Sequence, residues 1–324
     1  MRTRHSSWVW MGAGLAGLLL LVGGCKRPEA PSEPAVSEPV PEATRYEPPP
    51  GVLTALWIED RSIIADADAR AEWLAFCSER EVSMVFLNAR EFPERQYDTA
   101  FMREYKSTIR LSAEAGVAVY AASPMPVSPK LIYPQGQYVA VTYLRDFLRF
   151  NREQPASEQV LGVLLTVQPQ GLAKWNDEEA GLQKHFVDFA EEMRKTVIEF
   201  DEAARLGWLL PILYADYAWM PEFCERVDAI VLEDGGEGLE ARTAAARKLL
   251  AQTPDAQTLV YLAHDVRDLT GVSTRRESVE QALDYLDQAM PGEVRFGGLV
   301  IRDYDHFSGR ADAEPEERPG EEAQ

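Results

Sequence analysis

Eight short apolar runs alternate with amphipathic, helix-like segments across residues 51–308, and that alternation predicts an α/β fold, a single (β/α)8 TIM barrel. The runs are nearly continuous in apolar character, as parallel strands buried on both faces require. The alternative is a doubly wound open sheet. No glycine-rich phosphate loop follows the first run, which disfavours the dinucleotide-binding form of that alternative.

In chain order, strands are predicted at Leu53–Ile58, Val82–Leu87, Val117–Ala121 and Leu161–Val167. Four more follow at Leu206–Leu213, Ala229–Leu232, Thr258–Ala263 and Gly298–Ile301. Apolar residues three and four apart predict helices at Asp68–Cys77, Phe101–Ala115, Tyr143–Asn151, about Glu178–Ala204, Leu239–Gln252 and Ser278–Met290, with a short one at Pro221–Arg226. Pro211 falls inside the fifth run, so that strand is expected to bend or bulge.

Both ends differ from this body. Residues 1–24 have the form of a signal peptide: Arg2 and Arg4 precede a fifteen-residue apolar stretch, Trp8–Val22, which is short for a transmembrane helix. Residues 25–50 form a predicted disordered tether, with eight prolines and five glutamates in 26–50 and almost nothing to bury. Residues 309–324 read as a disordered acidic tail. The sequence Val22-Gly23-Gly24-Cys25 resembles the lipobox of bacterial lipoproteins. The resemblance implies cleavage before Cys25, a lipid on its thiol and a membrane anchor in the bacterial cell envelope. Lys26, where Asp would hold a lipoprotein in the inner membrane, implies the outer membrane. An ordinary secretory signal or an uncleaved anchor is the alternative.

A net charge of −20 excludes nucleic acid as a partner, because phosphate binding needs a basic surface. No Cys/His spacing suits zinc, and no metal or cofactor is expected. Cys77 and Cys224 sit in helical patterns among apolar neighbours and read as buried thiols, with a disulfide as the alternative.

Barrels of this kind carry their sites at the C-terminal strand ends. Those ends offer Glu59, Asn88, Ser123, Thr166 and Gln168, Tyr214, Glu233, His264-Asp265, and Arg302-Asp303. Aromatic residues at or just past the same ends, including Trp57, Trp175 and Tyr214, suit the C–H faces of sugar rings, or else pack the loops. Arg302 could clamp a ligand carboxylate or pair with a neighbouring acid. His264, Asp265, Asp303, Asp305 and His306 could form a metal site only if the strand end bends.

The order of these features resembles a little-characterised group of bacterial barrels similar to glycoside hydrolases. The matching residues are Leu56-Trp57-Ile58, Phe150-Asn151, the fourth-strand sequence Gly162-Val163-Leu164-Leu165-Thr166-Val167-Gln168-Pro169 with Trp175 downstream, and Phe296–Tyr304. In that group the fourth strand reads Gly-x-x-Leu-Asp-x-Glu-Pro-Tyr. Here Thr166 and Gln168 stand where Asp and Glu are expected, and Arg302 stands where His is usual. Glycosidases need a carboxylic acid to protonate the leaving oxygen. An amide has no such proton, but it still donates and accepts hydrogen bonds.

The expectation is a membrane-tethered, glycosidase-like barrel that binds a saccharide or envelope glycan without efficient hydrolysis. Its substrate-binding residues would be Trp57, Glu59, Asn88, Thr166, Gln168, Trp175, Tyr214, Arg302 and Asp303. Two alternatives stand beside it: an active hydrolase using Glu59 and Glu233 as displaced carboxylates, and a non-catalytic scaffold docking an envelope protein partner.

Overall fold

The computed structural model describes residues 45–48, 53–177, 179, 181–233, 235–267, 274–302 and 304–308. Eight parallel strands close into a barrel in sequence order, each hydrogen-bonded to the next and β8 to β1. They are β1 Leu53–Ile58, β2 Val82–Asn88, β3 Ala118–Ala122, β4 Gly162–Leu165, β5 Arg205–Pro211, β6 Ala229–Glu233, β7 Leu259–Asp265 and β8 Phe296–Arg302. The (β/α)8 expectation is met. Among the described residues no helix is long and apolar enough to cross a membrane.

The helices are α1 Ser62–Ala65, α2 Ala67–Glu79, α3 Phe92–Arg95, α4 Thr99–Glu114, α5 Pro134–Arg152, α6 Leu182–Asp201, α7 Met220–Cys224, α8 Leu239–Gln252, α9 Arg275–Ala289 and α10 Tyr304–Ser308. Their starts are written in the sequence. Asp66 accepts from the backbone N–H groups of Asp68 and Ala69, Asp98 from those of Ala100 and Phe101, and Thr274 from that of Glu277. Pro134 occupies the first turn of α5, which therefore begins nine residues before the predicted Tyr143.

Alternation along each strand sorts the core into two shells. On β1, Leu56 and Ile58 join the outer shell between sheet and helices, while Ala55 and Trp57 join the inner shell. Inside the barrel Trp57 stacks on Phe86, and Phe86 meets Tyr120 and Tyr261 at ring-centroid distances of 5.4 and 6.4 Å. Large rings need room, and Gly297 supplies it. A Cβ there would lie 2.3 Å from the Tyr261 ring. Its neighbour Gly298 has φ of +118° against the Leu53 backbone, where β7 and β8 slip register.

Three features depart from the sequence reading. Pro211 does not bend β5; it is the last residue of that strand, paired with Glu233, and Ile212 and Leu213 leave in a 3-10 turn. The ladder of β4 stops at Leu165, although Thr166, Val167 and Gln168 stay out of helix until the turn at Pro169. Arg45, Tyr46 and Glu47, read as the end of a disordered tether, pack on the N-terminal end of the barrel. Arg45 pairs with Asp201 at 2.5 Å and donates to Gln159. Asn151 donates to the same Asp201 carboxylate at 2.9 Å and accepts from the Val160 N–H. Glu47 pairs with Arg205.

Both Cys77 and Cys224 are free and buried, and burial pushes each thiol up to about 12. Cys25, the predicted lipidation site, lies outside the described residues, as do residues 1–24 and the tail 309–324.

Candidate active site at the barrel mouth

The side chains that face inward along the barrel wall continue past the strand ends and converge at the C-terminal mouth. Glu59 follows Trp57 by two residues, one past the end of β1, and continues its inward face. Its carboxylate accepts from Trp57 Nε1 at 2.6 Å through one oxygen and from Asn88 Nδ2 at 2.8 Å through the other. The Asn88 amide is itself oriented, because its oxygen accepts from the Arg90 N–H.

Across the mouth, Glu233 is held in the same way. Gln168 Nε2 donates to its Oε2 at 2.7 Å, and Arg302 pairs with its Oε1 at 2.7 Å. The Arg302 guanidinium also lies over the Trp57 ring, 5.4 Å from its centroid. Trp57 is thereby capped from above and is 2% exposed. Thr166 bonds the Ser123 hydroxyl at 2.6 Å. Gln168 Oε1 accepts from Gln170, whose own oxygen accepts from the Tyr214 hydroxyl.

Asp265 ends β7 beside Arg302. Burial pushes its carboxyl up, but hydrogen bonds from Arg267 and the nearby charge of Arg302 outweigh this and hold it below the usual carboxylate range. His264, one residue earlier, turns to the outer face and bonds Ser278 of α9. Among the described residues no group of three His, Cys, Asp or Glu side chains is placed to hold a metal ion.

The structure thus brings Trp57, Glu59, Asn88, Thr166, Gln168, Glu233 and Arg302 to one mouth. Trp175 and Tyr214 are placed otherwise. They stack on each other at 5.7 Å within a rim cluster that includes Phe186, Tyr217 and Trp219, and they are 3% and 0% exposed. Neither ring offers a face to a ligand, and only the Tyr214 hydroxyl touches the mouth, through Gln170. An aromatic residue past a strand end packs the loop as readily as it meets a sugar. Arg302 is paired with Glu233, the partner on β6, and so is not an open clamp. Asp303 lies outside the described residues.

Sequence reasoning named Ser123 at the end of the third strand but not its bond to Thr166, and it missed Gln170. Ser123 is held at φ of +56°, which aims its hydroxyl at Thr166. Gln170 was hidden because the 3-10 turn Pro169–Gly171, rather than strand alternation, sets its direction. Pro169 at the start of that turn was the available signal.

No family model matches the chain, and neither does any curated protein sequence. Solved structures do match. An exo-beta-1,4-mannosidase from Opitutaceae bacterium strain TAV5 superposes with a TM-score of 0.55 at 11% identity, covering 78% of this chain and 52% of that one. A beta-glucuronidase from Bacteroides uniformis superposes with a TM-score of 0.52 at 11% identity, covering 79% and 30%. This chain therefore spans about half the mannosidase's length and less of the glucuronidase's. At such identities the likeness is one of fold. The chain folds as a (β/α)8 barrel, like the barrels of these two proteins that it superposes on.

Proposed function

We propose that the chain is a membrane-tethered barrel that binds a saccharide or cell-envelope glycan at its mouth without hydrolysing it efficiently. One observation carries the reading: Gln168, standing where the resembled group has its acid, spends its amide on Glu233 at 2.7 Å. Retaining and inverting glycosidases both need one carboxyl group that gives up a proton. Each oxygen of Glu59 and each oxygen of Glu233 already accepts an N–H donor. Those oxygens hold the Trp57 indole, the Asn88 and Gln168 amides and the Arg302 guanidinium in place, and the amides and carboxylates together remain suited to sugar hydroxyls.

The test is Gln168→Glu. A carboxyl at that position would lie about as close to Glu233 as the amide does now, and the like charge beside it favours its protonated form. Hydrolysis of a bound glycan is expected to appear, with the gain of about 10²–10⁴-fold typical of general acid catalysis. Turnover by the unchanged chain that disappears with Glu233→Gln would replace this reading with an active hydrolase.

The anchor belongs to the same proposal and rests on Val22-Gly23-Gly24-Cys25. Cys25→Ala is expected to move the protein from the membrane fraction, in the outer membrane, to the soluble fraction of the envelope. Retention of the variant in the membrane would sink the lipid anchor.

A further inference from the structure

We propose that the ligand at the mouth is a glycan bearing free, positively charged amino groups, one of which pairs with Glu59; this rests on the saccharide-binding reading above. The charged side chains of the network described above are Glu59, Glu233, Asp265 and Arg302, with Arg267 on Asp265. Glu233 has Arg302 as its cation, and Asp265 has Arg267. Glu59 is different. It is partly exposed, and its two partners, Trp57 and Asn88, are both neutral donors. No Lys, Arg or His pairs with it among the described residues.

The carboxylate is also preorganised. Trp57 is locked between the Phe86 ring and the Arg302 guanidinium, and Asn88 is locked by the Arg90 N–H. Each carboxylate oxygen carries two lone pairs and uses one here, so an acceptor position remains on each. A sugar hydroxyl could take it, but an ammonium group brings both the hydrogen bond and the missing charge. Charge-assisted bonds are roughly twice as strong as neutral ones. The net charge of −20 favours approach of a cationic chain over an anionic one. Arg302 is already neutralised by Glu233, which argues against a uronic acid in its place.

The full chain, in detergent, should be titrated calorimetrically with glucosamine oligomers and with N-acetylglucosamine oligomers of equal length. The amine form is expected to bind about ten-fold tighter, from the added charge on one hydrogen bond. That advantage should shrink as salt is raised, which needs no variant. E59Q, matched to the parent in melting temperature, should bring the two oligomers to equal affinity. Equal or tighter binding of the acetylated oligomer by the parent overturns the inference, as does an advantage that survives E59Q. Binding of neutral glycans alone overturns it while leaving the saccharide reading standing. Silence toward an entire glycan array overturns both.

Discussion

Asp201→Ala is expected to destabilise the barrel by about 3–5 kcal/mol, the usual loss when one partner of a buried ion pair is removed. Asp201 is 3% exposed and collects two donors, the Arg45 guanidinium and the Asn151 amide. Truncation removes the charged partner of Arg45 and the nearer acceptor of the Asn151 amide, leaving Arg45 only Gln159 and Asn151 only the longer contact to the Val160 carbonyl. Scaled by the usual few degrees per kcal/mol for a domain of this size, the melting temperature should fall by about 10 °C. A companion variant separates the pair from its surroundings. Arg45→Met combined with Asp201→Leu removes both charges and should recover most of the loss, because a well-packed apolar pair is often as stable as a buried salt bridge. Thermal unfolding of the three proteins decides the matter. A melting temperature for Asp201→Ala within a degree or two of the parent would mean that the N-terminal segment is not held by this contact.

The second large effect is expected at Trp208, which links packing to the mouth. Its ring is fully buried on the outer face of β5, edge-on to Phe186, Phe189 and Phe223 at 5.3, 5.6 and 5.3 Å. Its indole N–H donates to the Val167 carbonyl at 2.9 Å. Trp208→Ala should lose about 3–5 kcal/mol through the cavity it leaves. Trp208→Phe should lose less, about 1–3 kcal/mol, chiefly because the Val167 carbonyl is left buried without a donor. Val167 precedes Gln168, so the Phe variant should remain folded yet bind glycan more weakly. Denaturant midpoints measure the first effect and calorimetric titration the second. A Trp208→Phe protein with full ligand affinity would show that Glu233 and Gln170 position Gln168 without help from the Val167 carbonyl bond.

Much of this molecule was legible because it depends on period and order. Strand runs, caps and the alternation that puts Glu59 above Trp57 are local properties of the chain, and the barrel follows from counting them. The fourth strand shows where local reading stops. Its apolar run extends to Val167, while the ladder ends at Leu165, since neighbouring strands rather than hydrophobicity decide how far pairing goes. The site was half legible for a similar reason. Gln168, Glu59 and Arg302 are announced by their places at strand ends, but that Arg302 is consumed by Glu233 is a contact across 69 residues. Burial of Trp175 and Tyr214 depends on Phe186 of α6 and on Trp219, just ahead of α7, packing against them, which no spacing reveals. Arg45 was obscured by its company, because a proline- and glutamate-rich stretch reads as solvated throughout, and one arginine with a buried partner does not alter that composition.

The Arg45 contact also sets a mechanical path through the molecule. A pull on the chain ahead of residue 45 is met first by the Asp201 carboxylate at the end of α6 and by Asn151 at the end of α5. The N-terminal segment is thus tied to the helical shell through Asp201 and Asn151, and to β5 through the Glu47–Arg205 pair. Glu59, Gln168, Glu233 and Arg302 sit at the far end of the barrel, off the line of force. A ligand bound at the mouth, as proposed, would therefore sit at the opposite end of the barrel from the Arg45 contact.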